Sequence, residues 1–87
     1  MNSQSADELK ADAAYQSSYY ELVDYLIAQQ AVGMRISSIL ERCIRIANSA
    51  ATRLPGDDII YYFYEAYGWS KLLRAVARSI EQSEANH

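Results

Sequence analysis

Three stretches of the chain carry apolar residues at alternating three- and four-residue spacing, the repeat of a helix that buries one face. In the first, Tyr15, Tyr19, Leu22 and Leu26 form the stripe, with Val23 and Ile27 on its shoulder. In the second, Ile36, Leu40, Cys43, Ala47, Ala50 and Leu54 form it, widened by Ile39, Ile44 and Ile46. The third runs through Ile59, Tyr62, Ala66, Trp69, Leu73, Val76 and Ile80 without a break in register. This pattern predicts helices over about 6–31, 34–53 and 58–82. Each would pack its stripe against the other two, giving an all-α, antiparallel three-helix bundle with short loops in a single domain.

The punctuation between the stripes agrees with those bounds. Ser5-Ala6-Asp7-Glu8 reads as a capping box, and Asp7, Glu8 and Asp12 lie near the positive end of the first helix dipole. Gly33 is placed to stop that helix in the left-handed region. Leu54-Pro55-Gly56-Asp57 ends the second helix, with Asp57 or Asp58 capping the third. A second architecture fits the same periodicity. The first stripe passes in phase through Gln29 and Gly33 into Ile36 and Leu40. One helix from about 6 to 54 would be roughly 75 Å long, a long helical hairpin that dimerises. Ile59 to Tyr64 has strand-like composition, but the stripe's continuation to Leu73 and Ile80 favours helix.

If the third stripe faces the bundle, Ile60, Tyr64 and Tyr67 point the other way, and Lys71, Arg74 and Arg78 continue that second face. A chain of this length rarely buries both sides of a helix. The outer face is therefore the predicted partner-binding surface: Ile60, Tyr61, Tyr64, Tyr67, Lys71, Arg74 and Arg78. Tyr and Arg favour interface centres. Tyr64 and Tyr67 would be the buried anchors, while Lys71, Arg74 and Arg78 steer against acidic groups on the partner.

Composition sharpens this reading in one respect. The 87 residues include eight tyrosines, and Tyr suits a surface that is sometimes wet and sometimes covered. The net charge of −3 is small but uneven: residues 1–33 carry five acids and one lysine, residues 34–53 four arginines and one glutamate. Acidic and basic helices lying side by side account for this, with Glu21 pairing to Arg42 and Arg45. The same arginines offer an alternative basic face, Arg35, Arg42 and Arg45, for nucleic acid.

Catalytic chemistry has few candidates. His87 is the only histidine and terminal, Gly33, Gly56 and Gly68 stand apart, and Ser70-Lys71 diverge on a helix. Cys43 is the single cysteine and sits on an apolar stripe, which predicts a buried, inert thiol and no zinc site or disulfide. No enzyme activity, cofactor or metal is expected. The absence of a leader pattern or a ~20-residue apolar run makes a cytoplasmic chain without a membrane span the expectation.

Pro55-Gly56-Asp57-Asp58-Ile59-Ile60-Tyr61-Tyr62 resembles the segment of colicin-type nuclease immunity proteins that carries their paired tyrosines. That resemblance implies a four-helix protein that neutralises a toxin nuclease, with Asp58, Tyr61 and Tyr62 as toxin contacts. The chain departs from the family after the pair, where Phe63 stands in place of a helix-ending proline, and in the position of Trp69. From the residues themselves the expected function is broader. It is a small non-enzymatic binding module that docks on a larger protein or complex and regulates or inhibits it. Phage- or plasmid-encoded inhibitors, anti-CRISPR proteins among them, are of this type. A homodimer, nucleic-acid binding and toxin neutralisation are the alternatives.

Overall fold

In a computed structural model that describes residues 6–85, the chain is an all-α bundle of four helices. They are α1 (Ala6–Ala31), α2 (Ile36–Ser49), α3 (Asp57–Tyr67) and α4 (Trp69–Ala85), with no strand among the described residues. The expected Ser5 cap and His87 lie outside these residues. Among the described residues, no helix is long and apolar enough to cross a membrane.

The three-helix expectation fails at Gly68. Its backbone takes φ 90° and ψ 174°, which only glycine adopts without strain. Its N–H still donates to the Tyr64 carbonyl at 2.8 Å, closing α3, while its carbonyl accepts the Leu72 N–H at 3.2 Å, opening α4. One residue therefore ends one helix and begins the next, and the unbroken side-chain stripe crosses a broken backbone. The alternative of a continuous helix through residues 6–54, and with it the helical hairpin, fails at Gly33. That residue has φ 94°, and the Gly33 and Met34 amides return to the Gln30 and Gln29 carbonyls, each at 3.0 Å, in a Schellman turn.

Because α3 and α4 are separate, each selects its own buried face. On α3 the inward residues are Asp57, Ile60 and Phe63; on α4 they are Leu72, Ala75, Val76 and Ser79. The predicted third seam is thus largely overturned. Ile60 is fully buried, whereas Tyr62, at its centre, is 68% exposed. The first seam stands: Leu22, Val23 and Leu26 are in the core, with Tyr15, Tyr19 and Ile27 packed on it. The second is turned by about a residue, so that Ile39, Arg42, Cys43 and Ile46 face inward.

α2 is shorter than the predicted 34–53 at both ends. It stops at Ala50, a non-glycine residue in the left-handed region (φ 50°, ψ 34°), whose N–H donates to Ile46 at 2.9 Å. The following loop folds back along the helix, held where Arg45 Nη1 donates to the Ala51 carbonyl. α1 packs most extensively on α4, and α3 touches all three other helices, while α2 meets α4 only sparingly.

Candidate functional site

The structure disperses the residues expected to form one outer face. Ile60 lies in the core, and Tyr61, Tyr64 and Tyr67 pack their bodies against it. Tyr67 belongs to an aromatic cluster with Tyr15 and Phe63, at ring separations of 4.9 and 5.0 Å. Lys71 places its ammonium 5.0 Å over the Tyr15 ring, a cation–π contact on that same side. Tyr64 instead turns towards α2, edge-on to Trp69 at 6.4 Å. Arg74 and Arg78 are exposed. The phenol of Tyr19 is pushed up by burial against the opposing effect of Arg78.

The basic face is likewise dismantled. Arg42 is 6% exposed and Asp57 0%. Arg42 Nε donates to Asp57 Oδ1, and its Nη2 donates to the Tyr25 hydroxyl at 2.6 Å and the Pro55 carbonyl at 2.8 Å. Nη1 donates to Gln29 Oε1 at 3.2 Å. Arg45 reaches Asp57 Oδ2 at 3.4 Å. The same Oδ2 accepts the backbone N–H groups of Arg53 and Leu54, each at 2.8 Å. Asp57 therefore does not cap α3, where Gly56 holds the cap position; its carboxylate turns back to order the incoming loop. It also replaces Glu21, which is exposed, as the partner of both arginines. Only Arg35 of the three remains exposed.

Electrostatics in this hub follow from its contacts. Burial alone would raise the Asp57 pKa, but the amides of Leu54 and Arg53 and the Arg42 guanidinium outweigh it and hold the carboxyl at about 2. For Arg42, burial disfavours the cation, and the bonds to Asp57 and Tyr25 more than offset that, so its pKa is raised. Cys43, beside the hub and fully buried, has its thiol pushed up to about 11 by burial. Every charge in the hub has a partner, and the Asp57 carboxylate itself is fully buried. Among the described residues, no group of His, Cys, Asp and Glu is arranged to hold a metal ion.

What the fold leaves accessible is a groove of about 530 Å³ between α1 and α3. Tyr62, Phe63 and Tyr67 supply aromatic surface, Ile59 and Ala66 aliphatic surface, and Glu21, Asp58 and Glu65 three carboxylates. Its lining contains no Lys or Arg. Tyr62 stands edge-on to Tyr61 at 5.6 Å, and both α3 acids adjoin it on exposed positions. The helical periodicity missed this surface because it assigned Tyr62 to the interior; only the resemblance to the immunity proteins put Asp58 and Tyr62 among contact residues. The available signal was the run Asp58, Tyr62, Glu65, whose three- and four-residue spacing puts two acids and a tyrosine on one side of a helix.

No protein-family model, no curated protein and no solved structure matches the chain.

Proposed function

We propose that this chain is a non-enzymatic binding module that docks on a larger protein and blocks or regulates it, using the α1–α3 groove as its contact surface. The observation that carries this reading is Tyr62, a large aromatic side chain 68% exposed and bordered by Asp58, Glu65 and Glu21 with no cation among the groove's lining residues. An aromatic anchor ringed by carboxylates is complementary to a basic surface with an apolar pocket at its centre. Surfaces of that chemistry are those that hold nucleic-acid phosphates. The module would compete with nucleic acid for such a site instead of binding it.

Direct nucleic-acid binding is the weaker reading. Arg42 and Arg45 are engaged by Asp57, and the three carboxylates of the groove repel phosphate. Toxin neutralisation is a narrower form of the main proposal. It is favoured by one specific feature: Asp58 and Tyr62, in the segment that resembles the immunity proteins, are both exposed in the acidic groove.

The test is affinity capture from nuclease-treated lysate with the native chain and with a Tyr62→Ala, Glu65→Lys variant. The expected result is a stoichiometric protein that survives nuclease and is lost with the variant, while helicity and melting are unchanged. Bound material that disappears with nuclease treatment, or a partner that holds the variant equally well, overturns the proposal.

A further inference from the structure

The face formed by α2 and α4, on the side away from the core, carries two apolar stripes that the described residues leave largely uncovered. Ile36, Leu40 and Ile44 recur every four residues on α2, and Trp69 and Leu73 do so on α4. Ile36, Ile44, Trp69 and Leu73 are 37–46% exposed, high for large apolar side chains grouped on one face. The two stripes border the same space. Ile36 and Ile80 line a cavity of about 640 Å³ at one end, and Ile44 and Trp69 line a smaller one of about 210 Å³ at the other. In the larger cavity the Ser83 hydroxyl is buried with no hydrogen-bond partner, unusual for a polar atom in a completed interior.

The overall shape points the same way. The Cα radius of gyration is 14.2 Å, against about 12 Å for a compact chain of this length. The shortest extent between Cα atoms is 19 Å, about two helix layers. In a bundle two layers thick every helix keeps an outer face.

We propose that the occupant is a second copy of this chain, docked through α2 and α4 about a two-fold axis running along the helices. The opposite charges of Glu41 on α2 and Arg74 on α4 fit this arrangement. Ile36 and Ile80 mark one level of the antiparallel pair. Counting from them at 1.5 Å per residue, Glu41 stands about 7.5 Å along α2 and Arg74 about 9 Å along α4.

A two-fold along the helices sets each α2 over the partner's α4. Glu41 then faces Arg74, twice. A two-fold across the helices sets α2 on α2 and α4 on α4, and so never brings Glu41 opposite Arg74. Neither Glu41 nor Arg74 forms an ion pair among the described residues, so both are available. Two helices about 10 Å across, with α2 about 21 Å long, give a face of roughly 400 Å² in projection. That is below the ~800 Å² per partner of a standard interface and is the size of a weak, concentration-dependent contact. This contact uses a different side of the molecule from the α1–α3 groove and does not depend on it.

Sedimentation equilibrium from about 1 µM to about 1 mM tests the proposal, with circular dichroism confirming that each variant is folded. The native chain should pass from monomer to dimer in that range, with a blue shift of Trp69 fluorescence as its ring is covered. Glu41→Arg and Arg74→Glu should each weaken association by roughly tenfold or more, and the two changes combined should restore it. Leu73→Glu should abolish it. A chain that stays monomeric throughout overturns the proposal. So does a dimer indifferent to these changes, or a combined charge reversal no stronger than the single ones. If Leu73→Glu does not fold, the charge reversals, on exposed side chains, decide the question.

Discussion

Arg42 and Asp57 form a buried ion pair between the middle of α2 and the first residue of α3, with the guanidinium 6% and the carboxylate 0% exposed. Around it converge Tyr25 and Gln29 of α1 and the Arg53, Leu54 and Pro55 backbone. A segment without regular structure is thereby fixed by charge-assisted hydrogen bonds. Removing one partner leaves the other charge buried and uncompensated, a cost of about 3–5 kcal/mol. Arg42→Met and Asp57→Asn should each destabilise by that amount in urea unfolding. The double variant should be clearly less unstable than the two single losses added together. Strict additivity would mean that the two side chains act independently and the hub is not a unit.

Acid should reach the same pair. The folded pKa of Asp57 is about 2, below its ordinary 3.8. The unfolded chain therefore takes up the proton first. The stabilisation is fully present above pH 4 and is lost as pH falls through the folded value. The difference corresponds to about 2 kcal/mol. Urea midpoints between pH 5 and pH 2 should fall for the native chain, and the Asp57→Asn variant should show a shallower fall. Parallel curves for the two would place the acid sensitivity elsewhere.

Gly56 is tied to this hub by space as well as by backbone. It has φ 88°, and a Cβ built on it would lie 2.2 Å from the Tyr25 hydroxyl oxygen. That hydroxyl accepts from Arg42 and donates to Pro55 at 3.0 Å, so it cannot move without breaking both bonds. Gly56→Ala should therefore cost about 3 kcal/mol or more, combining left-handed strain with the loss of a charge-assisted bond from Arg42. Tyr25→Phe in the Gly56→Ala background should recover little, because the ring atoms are as close as the hydroxyl: Cζ and Cε1 lie 2.3 and 2.4 Å from the added Cβ.

The parts of this fold that were legible in the sequence are those set by local backbone chemistry and one-sided periodicity. α1 keeps its predicted bounds, because Gly33 alone specifies where it stops and Leu22, Val23 and Leu26 leave no choice of face. α3 and α4 were misread together because a hydrophobic repeat records side-chain spacing and is blind to one glycine that breaks the backbone helix. With Gly68 taken as a break, Ile60, Phe63 and Leu72, Val76 become the natural inward sets. Arg42 was misplaced for a different reason. Its spacing within Ile39, Arg42, Cys43 and Ile46 is that of a core position, and periodicity assigns a charge there to solvent unless a carboxylate is known to meet it. Asp57 lies fifteen residues away in sequence, a separation that only the tertiary fold brings together. The acidic groove followed the same error: placing Tyr62 inside hid the only strongly exposed tyrosine of α3.

Two left-handed positions, one held by alanine and one by glycine, make opposite predictions. Ala50 ends α2 at φ 50°, a conformation costing an L-residue roughly 1 kcal/mol that glycine does not incur. Gly68 links α3 to α4 at φ 90°, with no neighbouring atom within 4 Å of where a Cβ would stand. Ala50→Gly should therefore stabilise by up to ~1 kcal/mol, moderated by the greater freedom glycine gives the unfolded chain. Gly68→Ala should destabilise by about 1–2 kcal/mol through backbone strain alone. Thermal melts at one pH would measure both. If Gly68→Ala melted like the native chain, the break would not need glycine's conformation. α3 and α4 could then join into the single helix that the uninterrupted stripe from Ile59 to Ile80 favours, and Ile60 would have to leave the core.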